Sequence, residues 1–197
     1  MIKPRIVIIY HSGYGHTKVV AQAIQRGAEE NTATEVRLFS VEEVDWDVLL
    51  DADCIVFGSP TYMGSVSAPF KEFMDKSGKI WLKQQWKDKL AAGFTNAGSL
   101  SGDKLNVLIQ LALFAAQHGM NWITLGIVPS NHNDEGNGEA ASVLRLNRMG
   151  SYLGAMAQSG NDSPEVTPPT DDIRTAELFG KRIADATYRW VAGAPGI

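Results

Sequence analysis

The junction between RIVIIY (Arg5–Tyr10) and HSGYGHT (His11–Thr17) constrains the fold more than any other part of this chain. Four consecutive β-branched residues, Ile6 to Ile9, leave no position in the run that turns toward water. Such a strand is covered on both faces, which a parallel sheet flanked by helices provides. Two glycines and three hydroxyl side chains follow. Beyond them Val19, Val20, Ala23, Ile24 and Ala28 recur at helical spacing, predicting a helix from Thr17 to about Glu30.

The same rhythm returns along the chain. TEVRLFS (Thr34–Ser40) alternates Val36 and Leu38 with Glu35 and Arg37, a strand nearer the sheet edge, and DWDVLLDAD is a short helix or turn. CIVFGSP (Cys54–Pro60) is a second fully apolar strand, after which Pro69 suits the first turn of a helix. KLAAGFTNAGS (Lys89–Ser99) is a third buried strand, the segment from Asp103 to Gly119 a long helix, and NWITLGIV (Asn121–Val128) a fourth buried strand. Residues 129–170, rich in Asn, Gly, Ser and Pro, read as one long excursion, and a last helix spans Asp171 to about Ala192. Strands alternating with helices imply right-handed crossovers. The expected fold is α/β, a doubly wound three-layer sandwich on a five-stranded parallel sheet, in a single domain over residues 1–197.

Several function classes fall away on composition. A net charge of −4, with no run of Lys or Arg, gives no reason to expect nucleic acid. No stretch approaches the ~18 apolar residues that cross a bilayer, and the N-terminus reads as a strand and not as a signal peptide, so the expectation is a soluble cytoplasmic protein without a membrane partner. The single cysteine, Cys54, lies in an apolar strand and reads as a packed core thiol. His132, with Asn131, Asn133, Asp134 and Glu135, has no ligand spacing and reads as a solvated loop, so no metal is expected.

In such sheets ligands sit beyond the carboxyl ends of the strands. Three loops fall at that edge: Ser12–Thr17, Ser59–Ser65 and Thr95–Gly102. The first is not an ATP-binding P-loop, because Gly13 and Gly15 are too close together and no lysine lies inside it. A dinucleotide fingerprint fails too: Lys18 stands where the third glycine belongs, and no acidic residue ends the second strand. What remains is a nest of hydroxyls and backbone N–H groups at a helix N-terminus, suited to a dianionic monophosphate without any cation.

SGYGHT resembles the flavodoxin loop that grips the phosphate of FMN, with Tyr14 in place of its middle threonine. GSPTYMGSVSAPFKEFMD (Gly58–Asp75), GKIW with Trp81, GFTNAGSLSG, QHGM (Gln117–Met120) and GSYLGA (Gly150–Ala155) resemble, in order, elements of the WrbA-type NAD(P)H:quinone oxidoreductases, flavodoxin-like FMN enzymes. The insertion after the second strand is shorter here, the third loop lacks the family's glycine cluster, and NHNDEGNG is particular to this chain.

That resemblance implies a flavodoxin-like strand order of 2-1-3-4-5. It implies that Ser12, Gly13, Tyr14, Gly15, His16 and Thr17 hold the FMN phosphate. Pro60, Thr61, Tyr62, Met63 and Gly64 would run along the isoalloxazine. Thr95, Asn96, Ala97, Gly98, Ser99 and Leu100 would border the ribityl chain and the pyrimidine edge. Trp81, His118 and Tyr152 are the substrate-pocket candidates; of the family's paired histidines only His118 remains, beside Gln117. No side chain is expected to act as acid, base or nucleophile, since the flavin carries the chemistry. The implied activity takes two electrons from NADH or NADPH to a quinone-type acceptor by a ping-pong exchange, in a homodimer or homotetramer. The alternative is a flavodoxin that carries single electrons between protein partners.

Overall fold

The computed structural model describes residues 3–130 and 145–193. Its strands are β1 (Arg5–Tyr10), β2 (Glu35–Ser40), β3 (Cys54–Tyr62), β4 (Ser65–Val66), β5 (Leu90–Ala97), β6 (Asn121–Trp122) and β7 (Ala155–Gln158). Its helices are α1 (His16–Glu29), α2 (Trp46–Asp51), α3 (Ala68–Lys76), α4 (Gly78–Leu82), α5 (Lys104–Gln117) and α6 (Thr170–Ala192).

The parallel sheet runs β2-β1-β3-β5-β6, which is the expected 2-1-3-4-5 order once the two-residue β4, an antiparallel partner of β3, takes a number of its own. Alternation along each buried strand divides the core in two. Ile6, Ile8 and Tyr10 of β1 join Cys54 and Val56 under α1 and α6, whereas Val7 and Ile9 join Ile55 and Phe57 under α3 and α5. Helices α1 and α6 touch backbone to backbone: a Cβ on Gly27 would lie 1.8 Å from the Glu177 carbonyl oxygen, and one on Gly180 2.0 Å from that of Ile24. Cys54 is fully buried, and burial pushes its thiol up to about 12, as suits a core residue.

The fifth sheet position departs from the expected strand over 121–128. Only β6 pairs there, opposite Leu90 and Ala91, and Ile123 adds one N–H bond to the Ala91 carbonyl at 2.7 Å. The chain then leaves the ladder, because Gly126 takes φ +67° and Arg182 Nε donates to the Thr124 carbonyl at 2.9 Å. Strand β7 fills the rest of the position, pairing Phe94–Ala97 with Ala155–Gln158. Residues 129–170 are therefore not one excursion, since they contain a strand that completes the sheet. The His132 cluster lies outside the described residues.

Candidate functional site

Four chain segments meet beyond the carboxyl ends of β1, β3, β5 and β7 and enclose a cleft of about 690 Å³. That volume is within the range of small-molecule sites. The first segment supplies Ser12, Tyr14, His16 and Thr17, the second Pro60, Thr61 and Tyr62, the third Asn96, Ala97 and Gly98, and the fourth residues 159–164.

The first loop is built to offer amides. Gly15, at φ +89°, turns the chain into α1, and a Cβ there would lie 2.6 Å from Pro164 Cγ. Ser12 Oγ accepts the Lys18 N–H at 3.2 Å, so one amide of the first helical turn is satisfied. Those of Tyr14, Gly15, His16 and Thr17 donate to nothing else among the described residues. The helix end and these free donors favour an anion, and among the described residues no lysine or arginine lines the cleft. His16 Nε2 lies 2.8 Å from the Asp162 carbonyl oxygen and so ties this loop to the fourth wall.

The second and third loops are fastened to each other. The Thr61 and Thr95 hydroxyls lie 2.9 Å apart, and Ser59 Oγ donates to the Pro60 carbonyl at 2.9 Å while accepting the Ser67 N–H at 3.0 Å. Ser159 Oγ donates to Asn96 Oδ1 at 2.9 Å, which leaves the Asn96 NH₂ at the cleft wall. Tyr62 leans over the first loop, its ring edge-on to Tyr14 at 6.3 Å. Burial, and then repulsion from Tyr14, raises the Tyr62 hydroxyl above its ordinary value, partly offset by the Gly13 amide. It stays a neutral donor at physiological pH.

Not every candidate borders the cleft. Gly13 and Gly15 back onto Tyr62 and Pro164, and Thr95 is buried behind Thr61. Met63 and Gly64 both have positive φ, the demand of a type I′ turn joining β3 to β4, and Met63 projects fully into solvent. Leu100 and Tyr152 line a separate cleft of about 770 Å³ beside α5, and Ser99 lies on the loop between the two. Trp81 is half exposed on α4 and borders neither.

His118 follows α5 at the far end of the sheet, about 20 Å along the helix from the loops. It is buried against Trp86 and Phe114, with ring centroids at 4.5 and 4.9 Å. Ser77 Oγ donates to the Met74 carbonyl at 2.7 Å, so His118 Nε2, 2.9 Å away, donates to Ser77. His118 Nδ1 has no partner among the described residues, and burial lowers the imidazole to about 4. This is a neutral core histidine.

The fourth wall, SGNDSP (Ser159–Pro164), was not among the expected site residues. Its signal was present, since a short apolar run in AMAQ precedes a Ser-Gly-Asn-Asp turn, but four residues are too few to identify a strand from sequence alone. Among the described residues no cluster of His, Cys, Asp or Glu could hold a metal, and no helix is long and apolar enough to cross a membrane.

Known proteins resemble this chain in sequence and in fold. Residues 47–134 match the family model described as NADPH-dependent FMN reductase. The chain is 41% identical over 180 residues to flavodoxin FldP of Pseudomonas aeruginosa, covering 91% of this chain and 95% of that protein. It is 32% identical to an NAD(P)H dehydrogenase (quinone) of Archaeoglobus fulgidus, covering 94% and 98% of the two chains. Among solved structures it superposes with a TM-score of 0.73 on a flavodoxin, WrbA-like protein from Agrobacterium tumefaciens, at 38% identity and over 95% of this chain and 99% of that one.

Proposed function

Because the chain belongs to the WrbA-type family of flavodoxin-like FMN proteins, we propose that it is an FMN-dependent oxidoreductase that carries two electrons from NADH or NADPH to a quinone-type acceptor. The exchange would be ping-pong at one shared site. The observation that carries the cofactor assignment is the set of amides from Tyr14 to Thr17, unpaired among the described residues, at the N-terminus of α1 on a loop that lines a cleft where no described lysine or arginine lies. A flavin monophosphate suits that donor set, since its phosphate needs N–H dipoles more than a lysine.

When bound, the flavin supplies the hydride chemistry. The chain would do the rest. Amides 14–17 and the Thr17 hydroxyl would hold the phosphate, and Ser12 would keep the loop closed through Lys18. Thr61, Tyr62, Asn96 and Gly98 would border the rings, and residues 159–164 would exclude water from the side facing α6. The acceptor would be a small molecule, and assembly as a homodimer or homotetramer belongs to the same proposal. Leu105, Ile109 and Leu113, exposed at helical spacing along α5, support an interface.

A second reading, a flavodoxin carrying single electrons between proteins, is favoured by the 41% identity to flavodoxin FldP. Titration with FMN followed by NAD(P)H oxidation with benzoquinone tests both. Tight FMN binding with rapid turnover, and no radical signal in electron paramagnetic resonance at half-reduction, supports the reductase. A persistent radical with slow turnover supports the carrier, and absence of FMN binding overturns both readings.

A further inference from the structure

Lys104, in the first turn of α5, is 1% exposed although it carries an ammonium group. Its Nζ donates to the Ser99 carbonyl at 3.2 Å and the Ala157 carbonyl at 3.1 Å, with Met149 Sδ at 3.3 Å. The first of these carbonyls belongs to the loop after β5, the second to β7. A second tether lies beside it: Gln158 Nε2 donates to the Gly98 carbonyl at 3.1 Å. Gln158 is itself held, since Arg148 donates to its Oε1 at 3.2 Å and its own N–H donates to Asp172 Oδ2 at 2.8 Å. Arg148 and Asp172 close the network through a bidentate ion pair at 2.7 and 2.8 Å.

The consequence follows from peptide geometry. In a planar trans peptide the C=O and the N–H of one unit point in opposite directions. The Gly98 and Ser99 carbonyls are drawn onto the side chains of Gln158 and Lys104, so the Ser99 and Leu100 amides are turned away from those two side chains. Neither amide donates to any group among the described residues, and both residues are exposed. Behind them stand two cations, Lys104 and Arg148, against the single carboxylate of Asp172, an excess of positive charge.

We propose that Lys104 is a positioning residue for the flavin: with Gln158 it fixes two carbonyls of the loop whose Ala97 and Gly98 line the cleft, frees the Ser99 amide at the cleft's rim as a donor to the flavin's pyrimidine edge, and favours the negative charge that reduction places there. This rests on the FMN reading above. Donors fixed in advance at a site of developing charge act without reorganisation, which is where they stabilise most.

The test is the midpoint potential of FMN-loaded full-length protein, measured against reference dyes for the wild type, Lys104→Met and Gln158→Leu. In Lys104→Met the preference for reduced over oxidised flavin should fall about tenfold, a potential about 30 mV more negative for a two-electron couple. Gln158→Leu, which leaves the buried charge in place, should shift it in the same direction by a factor of about three. Amides 98–103 of the flavin-free protein should exchange hydrogen faster in both variants. Wild-type potentials and exchange rates in both variants would overturn the proposal and reduce Lys104 to a core filler. If Lys104→Met does not fold, Gln158→Leu decides alone. A wild-type protein that binds no FMN overturns the flavin reading and this inference together, whereas faster exchange in the variants would still show that the tethers hold the loop.

Discussion

The Tyr62 hydroxyl oxygen lies 2.6 Å from where a Cβ on Gly13 would stand. The phosphate-loop candidate and the hairpin after β3 therefore close on each other where Gly13 leaves room for the Tyr62 hydroxyl. The obstructing atom is the far end of a side chain, so it can move. Gly13→Ala should swing Tyr62 outward, leave stability within about 0.5 kcal/mol of wild type by urea titration, and weaken FMN binding several-fold in a fluorescence titration.

Gly15 differs in kind. At φ +89° its backbone is left-handed, and a Cβ would strike the Pro164 ring. Gly15→Ala should cost about 1–2 kcal/mol in urea unfolding and more than tenfold in FMN affinity, because both the turn and the contact with the fourth wall shift. Equal stability of the two glycine variants would refute this distinction.

His118 gives the fold an acid-sensitive point. Its folded-state value, about 4, lies below the ordinary 6.5, so between these values the unfolded chain binds more protons. The stability of keeping it neutral is complete above pH 6.5 and is lost as pH falls toward 4, roughly 3 kcal/mol in all. His118→Gln should flatten this part of the pH profile of urea unfolding while leaving FMN binding at pH 7.5 unchanged.

Lys104 acts at the alkaline end with the same charge type, a cation that burial disfavours. Burial lowers its ammonium from 10.5 to about 8, against the pull of Asp172 and with the push of Arg148. Between these values the unfolded state again holds more protons, so folding is favoured progressively as pH rises. The stability difference between wild type and Lys104→Met should move in favour of the wild type from pH 8 to pH 10.5. A flat difference across that window would mean that the side chain titrates at its ordinary value.

Cys54 supplies a probe of global opening. Its thiol is fully buried and shifted to about 12, so the nucleophilic thiolate is scarce in the folded protein. Labelling by a disulfide reagent at pH 8 should follow the unfolding rate, and rapid labelling of native protein would show that β3 opens locally.

Much of this architecture was legible in the sequence because the central strands are apolar on both faces. RIVIIY and CIVFGSP have no competing interpretation, and the loops they enter carry the glycines and hydroxyls that an anion nest requires. The fifth strand was not legible. NWITLGIV has the composition of a buried strand, and Leu125 is indeed buried, but the positive φ of Gly126 and the Arg182 bond to Thr124 are tertiary facts with no local signature. His118 shows the same limit: a histidine at a helix end has one composition whether it faces a ligand or, as here, Trp86 and Phe114.

Dividing one sheet position between β6 and β7 separates two tasks that a continuous strand would join. Residues 121–122 complete the floor of the sheet, while the short ladder at 155–158 carries only the wall that faces the cleft. Between them the chain bends away at Gly126 yet still buries Leu125, so the described part of the connection adds to the core without lengthening either ladder. With the position built from two short ladders, the wall beside the cleft is set by β7 and the turn after it, apart from the segment that closes the floor.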